Sequence, residues 1–216
     1  MNETAAPTPP TPPPPPPAAP PPPAGGEIDY PVHVDVDRQE EYSRFLPLIK
    51  WLLLIPHYFV LFFLGIGALF ACIVAALAVL FTGRYPRGIF GFVTGVYRWV
   101  VRVNAYHLLM TDAYPPFSLQ PDPAEPARFE IEYPEQGVAR WRPFFAWLLA
   151  IPYLFVATLI FYLAMVMVLI AFFAILFTRR FPEGMFNIVL VAMRWQARGN
   201  AYTYAWTTRY PPFTWG

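Results

Sequence analysis

Cysteine, charge and membrane-embedded carboxylates are all scarce in this chain of 216 residues. The single cysteine, Cys72, excludes an intrachain disulfide, and its place inside an apolar run reads as a small core or lipid-facing side chain rather than a redox centre. Charged residues make up 13% of the chain against 56% hydrophobic. That is about half the charged fraction usual in soluble domains, so the chain cannot clothe itself in a polar surface and is expected in a bilayer. A net charge of +1 carries no basic excess, which argues against nucleic acid as a partner. The three histidines, His33, His57 and His107, stand apart with no carboxylate or cysteine at ligand spacing, so neither a metal site nor a cofactor is expected. There is no Gly-x-Ser-x-Gly, no phosphate-cradling glycine loop and no pair of acids inside an apolar run, which disfavours an enzyme and a proton-coupled pump. The N-terminus has neither a basic patch nor an apolar stretch, so insertion is expected to be directed by the first internal hydrophobic segment.

What the chain does have is a segment written twice. Residues 47–117 reappear at 143–213 at a constant offset of 96 (152 − 56 for the paired Pro56 and Pro152), and roughly 30 of about 70 aligned positions are identical. Phe81-Thr82 falls on Phe177-Thr178, Arg98-Trp99 on Arg194-Trp195, Asn104-Ala105-Tyr106 on Asn200-Ala201-Tyr202, and Tyr114-Pro115-Pro116-Phe117 on Tyr210-Pro211-Pro212-Phe213. One supersecondary unit is used twice.

Four regions follow: a proline-rich tail over 1–26, a first membrane repeat over 27–117, a connector over 118–142 and a second membrane repeat over 143–216. The tail holds 13 of the 28 prolines. It is expected to be disordered and rich in polyproline II, serving either as a semi-rigid spacer or as a ligand for an aromatic-grooved soluble partner. A short alternating stretch precedes each repeat, Val32–Val36 in the first and Phe129–Tyr133 in the second. Both read as strands that either pair as a two-stranded cap at the membrane surface or remain extended linkers.

The apolar runs, from about Phe45 to Phe81 and from about Phe144 to Phe177, are too long for one simple span. The excess is absorbed by an interfacial stretch before Pro56 and Pro152, by tilt, or by a turn such as Gly65 and Gly67 would allow in the first copy. A sharp basic turn follows each run, and then a second helix, from Ile89 to Met110 or from Met185 to Trp206. Arg98 and Arg102 share one face of the first of these, as do Arg194 and Arg198 of the second. An arginine at mid-bilayer costs about 2.5–3.5 kcal/mol, so an amphipathic helix lying at the headgroups is the cheaper arrangement. Arg98, Arg102, Arg194 and Arg198, with Arg84 and Arg180 of the basic turns, are therefore the candidate contacts to lipid phosphate or another anion. The alternative is an arginine-lined pathway at the repeat interface, in a small anion transporter or channel component. The lone His57 is expected to cap a helix or sit at the interface. Because both copies keep the same turn and the same exit, the repeats are expected to be parallel, with four membrane segments in all. The fold class is thus an all-α integral membrane protein of two tandem parallel repeats. Each is a long apolar helix or helical hairpin plus an arginine-bearing amphipathic helix, preceded by a short strand.

Ile55-Pro56-His57, Leu80-Phe81-Thr82-Gly83-Arg84-Tyr85-Pro86-Arg87-Gly88, Tyr97-Arg98-Trp99-Val100-Val101-Arg102-Val103-Asn104-Ala105-Tyr106 and Asp112-Ala113-Tyr114-Pro115-Pro116-Phe117 together resemble the bacterial membrane proteins grouped as domain of unknown function 4389. The resemblance runs from about Tyr30 to Phe213; the second copy departs from it at Arg179 and Tyr153. It implies a multi-pass protein of the bacterial cytoplasmic membrane and transfers no activity. The expected function is that of a non-enzymatic, lipid-interacting scaffold or accessory subunit. Its expected partners are anionic lipid headgroups, a soluble protein held by the proline tail, and further copies or a larger membrane complex.

Overall fold

Leucine, phenylalanine and alanine dominate both apolar runs, and each forms one long helical rod. The computed structural model describes residues 30–215 of the protein, so the proline-rich tail over 1–26 lies outside the described residues. In chain order the elements are β1 (Val32–Val36), α1 (Leu46–Leu53), α2 (Ile55–Thr82), α3 (Arg87–His107), β2 (Ala127–Ile131), α4 (Arg142–Thr178) and α5 (Glu183–Thr203). Leu54 alone separates α1 from α2, with Pro56 in the first turn of α2, where its missing N–H is not needed. Helix α2 continues through Gly65 and Gly67, and α4 runs unbroken through Pro152, so neither run folds back on itself. The two rods, Leu46–Thr82 and Arg142–Thr178, are long and apolar enough to cross a membrane. Only 6% of the most apolar stretch of the first is buried and 22% of the second, whereas the core helix of a soluble protein would be mostly covered.

Each rod ends on a residue in the left-handed conformation, Gly83 (φ 71°) or Arg179 (φ 60°), and the chain reverses into α3 or α5. Those helices end alike: Leu109 and Ala205 adopt φ near 60°, and Met110 and Trp206 donate their N–H groups to Ala105 and Ala201, closing the same C-terminal cap twice. In the second hairpin Ala146, Ala150, Ala157, Ala164 and Ala171 line the buried face of α4 and let α5 approach closely.

Strands β1 and β2 pair antiparallel, with Val34 opposite Phe129 at the centre, Asp35 opposite Arg128, and His33 opposite Glu130. Val32, Val34, Val36, Ala127 and Phe129 point inward and are buried, while the charged partners alternate outward. The second strand therefore starts two residues before the Phe129–Tyr133 read from the sequence. It aligns with the first at an offset of 95 (129 − 34), because one more residue separates strand from helix in the second copy.

The strands are exchanged between repeats. β1 packs on α5 of the second copy and β2 on α3 of the first, which leaves α3 and α5 between the ribbon and the long rods. Backbone bonds repeat the exchange: Tyr42 donates its N–H to the carbonyl of Arg179 (2.9 Å) and Val138 to that of Gly83 (2.8 Å), again 96 residues apart. The Tyr42 hydroxyl also reaches the Met110 carbonyl, so the far end of α3 meets the far end of α4. At the opposite pole a cleft lined by Cys72, Ile73, Tyr85, Pro143, Thr203 and Ala205 joins the end of α2 to the start of α4. The repeats are thus antiparallel, related by a pseudo-twofold axis through the centre of the ribbon. The rods therefore run in opposite directions, and the copies remain parallel repeats in the membrane sense when the axis stands along the membrane normal, since both then meet the same face.

Val138 closes on the Gly83 turn through Gly137, whose φ is +83° and where an added Cβ would lie 2.8 Å from the Gly83 carbonyl oxygen. Gly137→Ala is expected to destabilise the protein by about 2 kcal/mol. The helical Gly91, with open space about it, should gain a few tenths to about 1 kcal/mol as alanine. Thermal unfolding of the detergent-solubilised protein reads the two opposite shifts.

Candidate functional site

The helix arginines face the ribbon. Arg98 is the twelfth of the 21 residues of α3, and Arg194 the twelfth of the 21 of α5. Arg98 donates Nε–H to the Phe129 carbonyl (3.1 Å) and Nη1 to that of Leu119 (2.8 Å). Arg194 donates Nε–H to the Val34 carbonyl (2.9 Å) and Nη2 to Asp35 (2.6 Å). Val34 and Phe129 are the central pair of the ribbon, so two symmetry-related guanidinium groups hold its two middle carbonyls. Arg102 fastens the next stretch of connector through Ser118 (3.1 Å) and Gln120 (2.8 Å). Arg198 is buried below the Tyr30 ring, 5.9 Å from its centroid. Arg98 and Arg102 of one copy and Arg194 and Arg198 of the other therefore meet the ribbon and its flanking chain from opposite ends.

Arg84 and Arg180 differ from these four. Both are exposed on the turns that follow the long rods. The strand exchange brings exposed Arg140 to the Gly83–Arg84 turn and exposed Arg44 to the Arg179–Arg180 turn, and 44 and 140 are themselves repeat-equivalent. Besides Arg87, Arg179 and Arg38, which pair with Glu135, Glu41 and Glu183, each pole of the molecule thus carries two exposed arginines beside exposed aromatic rings, Phe81 and Trp141 at one pole and Phe45 and Phe177 at the other.

A second feature escaped the sequence reading. Lys50, on the apolar α1, is 2% exposed; it donates to the Thr111 carbonyl (2.8 Å), pairs with Asp112 (2.8 Å) and lies 4.6 Å from the centroid of Tyr106. The repeat equivalent of Lys50 is Ala146, yet the cation survives. Arg142, the equivalent of Leu46, reaches from one helical turn earlier to the Thr208 carbonyl and lies 4.7 Å over Tyr202. Thr208 stands where the first copy has Asp112. A cation over the tyrosine that ends the amphipathic helix, bonded to the exit-turn carbonyls, is therefore common to both copies although the residues differ. The paired substitutions Leu46/Arg142 and Lys50/Ala146 are the sequence signal that betrays it.

Beside each cation is an aromatic box. His57 is fully buried, stacked on Phe117 at 4.0 Å, and accepts the Trp99 indole N–H at Nδ1 (3.1 Å). It caps no helix, which corrects that part of the expectation for the residue. Tyr153 replaces it in the second copy and stacks on Trp195 at 4.8 Å; with no ring nitrogen to accept, the Trp195 N–H turns to the Thr214 carbonyl (2.9 Å). The Tyr-Pro-Pro-Phe exits close both boxes, Tyr114 donating to the Leu53 carbonyl and Tyr210 to that of Leu149.

Outside the long rods, the bidentate hydrogen bond from Arg128 holds the Asp37 carboxyl below the usual carboxylate range. Its contribution to stability is present above the ordinary carboxylate pKa and is lost as pH falls through the lowered one; on a side chain 60% exposed it amounts to less than about 1 kcal/mol. Burial raises the pKa of the Tyr30 hydroxyl, against the lowering pull of Arg198, Arg142 and Arg209.

Lys50→Ala strands Asp112 and is expected to cost about 3 kcal/mol. Adding Leu46→Arg and Asp112→Thr, which writes the second copy's solution into the first, should recover at least half of the lost stability in the same thermal assay.

The family model described as a domain of unknown function (DUF4389) matches residues 47–118 and again residues 140–214. No curated protein and no solved structure matches the chain. The two matched segments take in both hairpins and more than half of the residues, so the chain belongs to the DUF4389 family and carries its domain twice.

Proposed function

We propose that this protein is a non-enzymatic integral component of the bacterial cytoplasmic membrane that organises lipid, as a scaffold or as an accessory subunit of a larger assembly. The observation that carries the proposal is the outer surface of the two long rods. Phe45, Trp51, Phe59, Phe62, Phe70 and Phe81 on the first are each more than 60% exposed, and Phe155, Tyr162, Leu169 and Phe177 continue the pattern on α4. An unbroken apolar face of this extent is unstable in water and is satisfied by acyl chains. The exposed arginine pairs at the poles suit anionic headgroups, since the planar guanidinium binds two phosphate oxygens at once. An anion pathway lined by the helix arginines draws less support, because Arg98, Arg102 and Arg194 each direct two donor nitrogens to carbonyl or carboxylate groups of the chain itself. The proline tail, on this reading, is the segment that recruits a soluble partner.

Flotation of the full chain with phospholipid vesicles tests the proposal. The protein is expected to rise with the vesicles and to resist extraction by high salt and alkaline carbonate, and deletion of residues 1–26 should leave both results unchanged. Recovery of the full chain in the aqueous fraction would contradict the membrane reading.

A further inference from the structure

We infer that the hairpins do not cross the bilayer: α1–α2 and α4 lie in the plane of one leaflet with the β-ribbon turned to the water, an orientation that presupposes the membrane reading above.

The antiparallel arrangement of the repeats carries this. Were the rods to stand along the membrane normal, the turn at Arg84 and the turn at Arg180 would emerge on opposite faces, and the first repeat would end on the face opposite the start of the second. The connector would then have to pass from one face to the other. It carries Asp122, Glu125, Arg128, Glu130, Glu132, Glu135 and Arg140, and its strand lies against Arg98, at the middle of α3. Crossing rods would hold the ribbon at the depth of the hydrocarbon core, with His33, Asp35, Arg128 and Glu130 on its outer face and its outer backbone edges without water. Lipid-facing open strands are excluded at that depth, since every unpaired peptide group there costs several kcal/mol.

Length agrees. At 1.5 Å per residue the 37 residues of Arg142–Thr178 extend about 55 Å, against about 30 Å of hydrocarbon. Exposed apolar side chains run from Phe144 at one end of this rod to Phe177 at the other. Hiding that stretch of about 50 Å in a crossing orientation demands a tilt of about 53°, beyond the range of about 0–40° that spanning helices adopt. Lying flat, a helix 10–12 Å across fits within the roughly 15 Å of a single leaflet, along its whole length.

The charge distribution fits the same orientation. With the pseudo-twofold axis along the membrane normal, both poles meet the headgroups of one leaflet, and the pairs Arg84 with Arg140 and Arg44 with Arg180 bind phosphate at the two ends of one apolar raft. The ribbon, separated from the rods by α3 and α5, is left in water on its charged face. The exposed face of each rod is the one turned away from the amphipathic helix beneath the ribbon, so the molecule is polar on one broad side and apolar on the other.

Single cysteines at Arg84→Cys, Arg180→Cys and Ala124→Cys, placed in the full chain in a Cys72→Ala background and expressed in bacterial membranes, decide between the orientations. Right-side-out and inverted vesicles are treated in parallel with a membrane-impermeant maleimide. In-plane rods predict that all three positions label in the same preparation and that none labels in the other without detergent. Labelling of Arg84→Cys and Arg180→Cys in opposite preparations would overturn the in-plane orientation and leave the membrane reading standing. Protein recovered in the soluble fraction of both preparations would remove the membrane reading itself.

Discussion

Two guanidinium groups, from Arg98 and Arg194, hold the carbonyls of Phe129 and Val34 at the centre of a two-stranded ribbon, and the rest of the structure depends on that clasp. Each strand belongs to one repeat and each arginine to the other, so neither copy completes its own fold. Hydrogen bonds from a charged donor contribute more than neutral ones, and leaving the acceptor carbonyls unpaired beneath the ribbon would cost the desolvation of each. Because β1 and β2 are antiparallel and each lies along the other repeat's amphipathic helix, the hairpins must run in opposite directions. The proposed orientation in the membrane rests on this.

Duplication has preserved physical roles more faithfully than residues. The cation over Tyr106 and Tyr202 is a lysine in one copy and, one helical turn earlier, an arginine in the other, with aspartate and threonine exchanged at the turn it serves. The box around His57 becomes a box around Tyr153, and the indole N–H changes its acceptor from an imidazole to a carbonyl. In each case a polar group among aromatic rings obtains its hydrogen bond from whatever the local chain offers. Such sites join the start of the long rod to the end of the amphipathic helix, so they fix each hairpin as a unit, and the ribbon locks the two together.

Much of this was legible in the sequence, and the limits have physical causes. The duplication, the long apolar runs and the helix after each basic turn follow from periodicity and from the constant offset of 96 residues, whereas a broken helix, a tilted rod and a hairpin all fit those runs. The arginines' partners do not, because backbone carbonyls leave no mark in a sequence; an arginine meant for a ribbon and one meant for phosphate look alike. Arg98, Arg102 and Arg194 turned out to serve the chain itself, while Arg84 and Arg180 remain exposed. The opposite directions of the two rods are hidden for a related reason, since two copies of one motif are consistent with any symmetry operator and only the exchanged strands choose one. The offset of 95 in the strands against 96 in the helices is too small a discrepancy to reveal the exchange without the Val34–Phe129 register. Lys50 carries no signal by itself, and its role is legible only when Arg142, the cation of the second copy, is set beside it.

An apolar face confined to one leaflet expands that leaflet alone, which gives the scaffold proposal a mechanical content without any reaction. On the in-plane proposal, rods of 37 residues need no internal turn, because their length answers to the ribbon and hairpins above them and not to bilayer thickness. Oriented circular dichroism of the full chain in stacked, aligned bilayers measures this most directly. With the beam along the membrane normal, helices in the plane retain the exciton band polarised along the helix axis, and the account predicts that band at near full strength. Its loss, as for helices standing along the normal, would contradict the in-plane arrangement and the layered structure offered as its cause.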